Sequence, residues 1–99
     1  METLSLHFDA DRNVPGRSHV GVVASGDLEV LMEPCEGSRS SVVIRTSIDG
    51  FEPAWRNVLG RFFQRFGGRV AIEINDAGAS PGTALLRLEQ AAELAERTT

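Results

Sequence analysis

The chain contains no lysine and no tyrosine, and in 99 residues it has one cysteine and one tryptophan. Each shortage removes a chemistry. All ten cationic side chains are arginine, so no amine can form a Schiff base, and without tyrosine a further acid is missing. Cys35 alone can form neither an intrachain disulfide nor a thiolate metal cluster, which points to a reducing compartment. Glu33 and Glu36 beside it disfavour a thiolate, so it reads as an ordinary thiol. Positive charge is also scarce: ten basic against 14 acidic residues leave a net charge of -4, which argues against a broad phosphate-contacting surface and hence against nucleic acid. No stretch approaches the roughly 18 apolar residues of a membrane span. The first twenty residues carry Asp9, Asp11, Arg12 and Arg17 with no apolar signal-type core. The expectation is a cytoplasmic protein with no membrane contact, no metal and no catalytic residues of its own.

What is present is a normal globular balance, 41% hydrophobic and 24% charged, in a length that suits one domain. Leu4, Leu6 and Phe8 alternate with polar residues as a half-buried strand does. "DADRNVPG" is a loop. Strands follow at roughly 18 to 23, 27 to 33 and 41 to 48, the last placing Val42, Ile44, Thr46 and Ile48 on one face. From Phe51 to Phe66 the apolar residues, Trp55, Val58, Leu59 and Phe62 among them, step at helical spacing. Pro53 suits the first turn of that helix, and Gly67-Gly68 is expected to stop it by adopting positive φ. Val70, Ile72 and Ile74 mark another strand. Ser80 then caps a second helix running to about residue 96, whose "TALLRL" portion could also read as strand. The order predicts an α+β fold: one domain, 1–99, with an antiparallel or mixed sheet, a β-hairpin and two helices packed on one face.

The segment "VVASGDLEV", residues 22–30, places a serine where turns more often use Asn or Asp. A two-residue turn would pair Val22 with Glu29 and mix core with surface. A three-residue loop of Ala24, Ser25 and Gly26 pairs Val22 with Leu28 and Val20 with Val30, leaving Asp27, Glu29 and Glu33 outward. That register predicts a type I turn with Gly26 left-handed and Ser25 at an exposed apex. The simplest reading is a turn and nothing more. As a nucleophile Ser25 lacks a base: His19 is six residues away, about 20 Å along an extended strand. His7 sits on another strand, and Asp27 is expected to accept backbone N–H groups at the turn. A serine acted upon fits this inventory better than a serine that acts.

Two further features carry alternatives. Arg56, Arg61, Arg65 and Arg69 lie on or just after the first helix and read either as a solvated face or as a docking surface for an acidic partner or phosphates. "NDAGASPG" is either a binding loop or ordinary turns.

Ser25-Gly26-Asp27 within "HVGVVASGDLEVLMEP", followed by "IDGFEPAWRNVLGRFF", "IEINDAGASPG" and "LRLEQA", resembles the acyl carrier (delta) subunits of biotin-independent malonate decarboxylase over nearly the whole chain. The order of motifs is specific where a lone Ser-Gly-Asp would be weak. The chain departs from the family pattern at Ala24, where glycine is common, and at Cys35. The resemblance implies that Ser25 carries phosphoribosyl-dephospho-coenzyme A (phosphoribosyl-dephospho-CoA) through a phosphodiester, with Gly26 and Asp27 recognised at the turn, and that acetyl and malonyl units ride on its thiol while malonate becomes acetate and CO2. It implies as partners an acyl-carrier transferase (alpha) subunit, decarboxylase (beta and gamma) subunits and a prosthetic-group-loading transferase. The alternatives are the related gamma subunit of citrate lyase and an unmodified α+β interaction module.

Overall fold

The computed structural model describes residues 1–97. Its elements are β1 (Glu2–Asp9), β2 (Ser18–Gly21), β3 (Leu28–Pro34), β4 (Arg39–Thr46), α1 (Glu52–Arg65), β5 (Val70–Asp76) and α2 (Pro81–Glu96). The strands form one mixed sheet in the order β1-β4-β5-β3-β2. Only β4 and β5 are parallel, and α1 supplies the crossover that a parallel pair needs; the other three pairs are antiparallel. The expected α+β architecture with two helices on the sheet is the one observed.

Alternation along the strands decides which face meets the helices. Leu4 and Leu6, Leu28, Val30 and Met32, Val42 and Ile44, and Val70, Ile72 and Ile74 are all buried, while their neighbours are exposed or half-buried. From α1, Trp55, Val58, Leu59 and Phe62 join this core, and α2 contributes Ala84, Leu88, Ala91, Ala92 and Ala95. The small residues of α2 allow it to lie close to β3 and β2. Phe62 packs edge-on to Phe63 with ring centroids 5.0 Å apart and stacks on Phe66 at 5.1 Å. Ser80 caps α2 as expected, its hydroxyl accepting the Thr83 N–H at 3.1 Å, and "TALLRL" is helical throughout.

Three expectations need correction. Ile48 lies beyond β4 and is exposed, and Phe51, expected on the buried helical face, precedes α1 and is exposed too. The α1 face therefore begins at Trp55, because the β4–α1 loop must leave the sheet before the helix can return to it. Gly67 and Gly68 do not take positive φ; α1 ends on Phe66 in an extended conformation. Both glycines sit at close approaches, tightest at Gly68, where the neighbours are packed apolar side chains. A Cβ on Gly68 would lie 2.5 Å from Val14 and the Phe66 ring, and one on Gly67 would lie 2.6 Å from Asp11. Buried Ser40 completes this corner by donating to the Gly68 carbonyl and accepting the Val70 N–H, while the neighbouring Arg69 Nε is buried there without a partner.

Candidate functional site

The chain order places three connections at one end of the sheet: β2–β3, β4–α1 and β5–α2. The start of β3 pairs with the end of β5, Leu28 opposite Asp76, and the end of β4 lies beside the same residue, Thr46 opposite Asp76. Ser25 sits in the first of these connections.

The hairpin register is the expected one, with Val20 opposite Val30 and Gly21 opposite Glu29. The turn itself differs. β2 stops at Gly21, whose φ of 83° brings its backbone so near β3 that a Cβ would sit 2.1 Å from the Leu28 carbonyl oxygen. Val22, expected to face the core opposite Leu28, is 58% exposed, and Val23 is exposed beside it. The Asp27 N–H then bonds the Ala24 carbonyl at 2.9 Å, closing a four-residue turn with Ser25 and Gly26 at its centre. Gly26 has φ 78° at the third position, which is the type II pattern rather than type I. The physical reason lies outside the hairpin: the Gly26 N–H donates to the Ala77 carbonyl at 2.8 Å, and the Ala77 N–H donates to the Asp27 carbonyl at 3.0 Å. These bonds carry the β3–β5 ladder one step past its last residues and tie the turn to the β5–α2 connection.

Asp27 faces inward and is held, where it was expected to face outward. Its carboxylate accepts the Leu28 N–H at 2.7 Å and a two-pronged contact from Arg87 of α2, Nε to Oδ1 at 3.2 Å and Nη2 to Oδ2 at 3.0 Å. The Arg87 bonds, then the Leu28 N–H, hold the Asp27 carboxyl below its ordinary value, and Asp27 in turn raises the Arg87 guanidinium. Gln90 accepts from Arg87 Nη1 and steadies it further. The expected role of Asp27 as an acceptor of backbone N–H at the turn is present. Arg87, sixty residues along the chain, carries no local sequence signal.

Ser25 is exposed at the apex, and its hydroxyl makes no hydrogen bond among the described residues. A Cβ built on Gly26 would meet nothing within 4 Å, so the approach to the hydroxyl is open. Neither histidine serves it. His19 bonds Glu29 at 2.8 Å, and Glu29, also held by Asn75, has its carboxyl lowered by that Asn75 bond first and by His19 second. His7 lies on β1, the opposite edge of the sheet from β2, about 19 Å away across four strand spacings. No group of three or more His, Cys, Asp or Glu side chains is placed to hold a metal among the described residues.

The remaining candidates fall elsewhere. Cys35 is half-buried, with its thiol 3.8 Å from the Arg39 carbonyl; burial pushes it up, Arg69 opposes this, and Glu33 adds to it. Glu36 plays no part. On α1, Arg56 pairs with Glu52, while Arg61 and Arg65 are exposed and form no ion pair among the described residues. Arg69 bonds Asn13. "NDAGASPG" is built by Asp76, whose buried carboxylate accepts from Thr46 Oγ1 at 2.8 Å, the Gly78 N–H at 3.2 Å and the Ala79 N–H at 2.9 Å. Among the described residues no helix is long and apolar enough to cross a membrane.

Fold and site together define a small α+β domain with an anchored turn that leaves the Ser25 hydroxyl exposed. Residues 16–95 match the family described as malonate decarboxylase delta subunit (MdcD). The chain is 46% identical over 94 residues to the malonate decarboxylase acyl carrier protein of Pseudomonas paraeruginosa, covering 94% of this chain and 95% of that one. It is 44% identical, with the same coverage, to the protein of that name from Stutzerimonas stutzeri. Its fold superposes with a TM-score of 0.90 and 43% identity on a chain of the crystal structure of a Pseudomonas malonate decarboxylase hetero-tetramer in complex with malonate, covering 95% of this chain and 98% of that one. The chain belongs to the malonate decarboxylase acyl carrier, or delta, subunit family.

Proposed function

We propose that Ser25 is the attachment point of a phosphodiester-linked phosphoribosyl-dephospho-coenzyme A, and that the protein presents acyl groups on it to the other subunits of a malonate decarboxylase during conversion of malonate to acetate and CO2. One observation carries the reading: the exposed Ser25 hydroxyl stands on a turn fixed from three sides, by Ala77, by Arg87 through Asp27, and by β3 against Gly21. The residues fit a bulky substituent, because Ser25 points to solvent and Gly26 leaves the space beside it empty. When bound, the group supplies a thiol on which acyl units are held as thioesters, whose carbonyl accepts developing carbanion charge better than a carboxylate does.

The chain's own part is positional. Ser25 Oγ forms a bond to phosphorus of an activated phosphoric-anhydride donor as the anhydride P–O bond breaks, the distal phosphate portion leaves with that bond's electron pair, and the serine proton passes to a base of the loading transferase. Asp27 is a weak base for this step, since the Arg87 bonds and the Leu28 N–H lower its affinity for a proton. A covalent tether raises the effective concentration of the acyl group at each partner site, and a rigid base for that tether limits the volume it explores. The match to a chain of a Pseudomonas malonate decarboxylase hetero-tetramer supports other malonate decarboxylase subunits as partners, and we take these to be the transferase (alpha) and decarboxylase (beta and gamma) subunits.

Reconstitution tests the proposal. Ser25→Ala should fold as wild type and abolish malonate turnover by the complex, whereas Cys35→Ser should leave it intact. Turnover by the Ser25→Ala complex would refute the assignment.

A further inference from the structure

The Ser25 end of the molecule is unusually apolar for a surface. Of the seven large hydrophobic residues exposed among the described residues, four are in its loops: Val22 (58%) and Val23 (57%) of β2–β3, Ile48 (41%) and Phe51 (52%) of β4–α1. Between the β4–α1 and β5–α2 connections there is also a cavity of about 270 Å³, rimmed by Ile48, Phe51 and Pro81 and floored by Trp55, Val58 and Ala84. An apolar cavity of about 150 Å³ already accepts a benzene-sized group.

The polar side chains at this cavity are engaged. Asp76 accepts from Thr46, Gly78 and Ala79, Thr46 Oγ1 accepts the Ile48 N–H at 3.0 Å, and Ser80 is occupied in capping α2. A ligand rich in amides and phosphates would find the side-chain partners here already engaged, whereas an apolar side chain requires none. The cavity is also fixed relative to the serine. Ala77, which holds the turn through Gly26 and Asp27, directly precedes Gly78 and Ala79 of the cavity wall.

We infer that this cavity, with its Ile48–Phe51 rim, is the docking socket for an apolar side chain of the transferase that loads Ser25, a fixed reference point from which that enzyme finds the hydroxyl. The inference rests on the carrier reading above. An enzyme that makes a bond to Ser25 Oγ must cover this end of the sheet, and the socket is the concave apolar feature joined by hydrogen bonds to the turn it must reach. Buried apolar anchors in such pockets dominate protein–protein affinity, while the surrounding contacts mainly exclude water.

The test is the rate at which purified loading transferase, given its phosphoric-anhydride donor, adds mass to the full-length carrier, followed by intact-mass spectrometry. The double variant Ile48→Ser, Phe51→Ser removes an exposed rim, and Ala54→Leu fills the socket from α1. Both should lower kcat/KM about tenfold or more, through KM, with thermal unfolding midpoints near wild type. Leu94→Ser, an equally exposed apolar site on the last turns of α2, should load as wild type. Both socket variants loading within about twofold of wild type would overturn the inference. So would a concentration-dependent dimer abolished by the rim variant with loading unchanged, which would assign the socket to a second copy. Backbone amide shifts over residues 78–84 on loading the isolated carrier would assign it to the protein's own arm and likewise overturn it. If wild-type protein gained no mass at Ser25 in the same assay, the carrier reading would fail, and this inference with it.

Discussion

Gly21 and Gly26 have nearly the same backbone conformation, φ 83° and 78°, yet alanine should affect them very differently. At Gly26 the new Cβ meets nothing within 4 Å, so the cost is that of a left-handed non-glycine residue, about 1–2 kcal/mol. Reduced freedom of the unfolded chain offsets about 0.4–1 kcal/mol of this, leaving Gly26→Ala about 1 kcal/mol less stable. At Gly21 the same torsional cost applies, but the Cβ would lie 2.1 Å from the Leu28 carbonyl oxygen, a backbone atom that cannot swing aside. Separating β2 from β3 at the Gly21–Glu29 pair adds an overpacking cost of about 1–3 kcal/mol, so Gly21→Ala should lose about 3 kcal/mol in all. Against a total stability of about 5–15 kcal/mol for a domain of this size, that loss is large. Urea unfolding gives both values from the midpoint shift at constant m-value. Equal losses for the two variants would refute the account of the turn, because they would show that β2 does not pass against Leu28 as described.

Phe62→Ala removes a buried ring that packs on Phe63 and Phe66 and should cost about 3–5 kcal/mol in the same urea assay; a loss well under about 1 kcal/mol would mean the helix face is misassigned. The lowered Asp27 carboxyl adds stability that is complete above its ordinary value of 3.8 and is lost as pH falls through the depressed folded value. The stability difference between wild type and Asp27→Asn should therefore be constant near neutrality and shrink on acidification below 3.8; a difference unchanged at low pH would show that Arg87 does not hold the charged form. Arg61→Glu with Arg65→Glu should slow acyl exchange with a partner subunit at low salt, the difference fading as salt rises, with unfolding unaltered; identical low-salt rates would leave these arginines a solvated face.

Much of this was legible in the sequence, for reasons particular residues make plain. Alternation in the strands and helical spacing from Trp55 to Phe66 report burial directly, and Ser80-Pro81 states a helix start in local terms. The β2–β3 register was readable because slipping it by one would bury Glu29. The misjudged features all depend on distant partners. Val22 alternates correctly for a strand but is turned outward because Gly21 bends the chain over Leu28. Gly67 and Gly68 follow a helix as stop signals do, but their lack of a side chain answers to Asp11 and Val14, more than fifty residues away. The turn type was set by Ala77, and the grip on Asp27 by Arg87, neither of which a reading confined to residues 22–30 could supply. The apolar end emerges only when the topology brings Ile48, Phe51 and Ala79 together.

The central claim is that Ser25 is a residue acted upon. Its most direct test is peptide mapping by mass spectrometry of the carrier co-produced with its loading enzymes. One phosphoribosyl-dephospho-coenzyme A should be found per chain, on the peptide containing Ser25 and fragmenting to that hydroxyl, and Ser25→Ala should carry none. Unmodified Ser25 in an active complex, or the added mass on any other residue, would contradict the account.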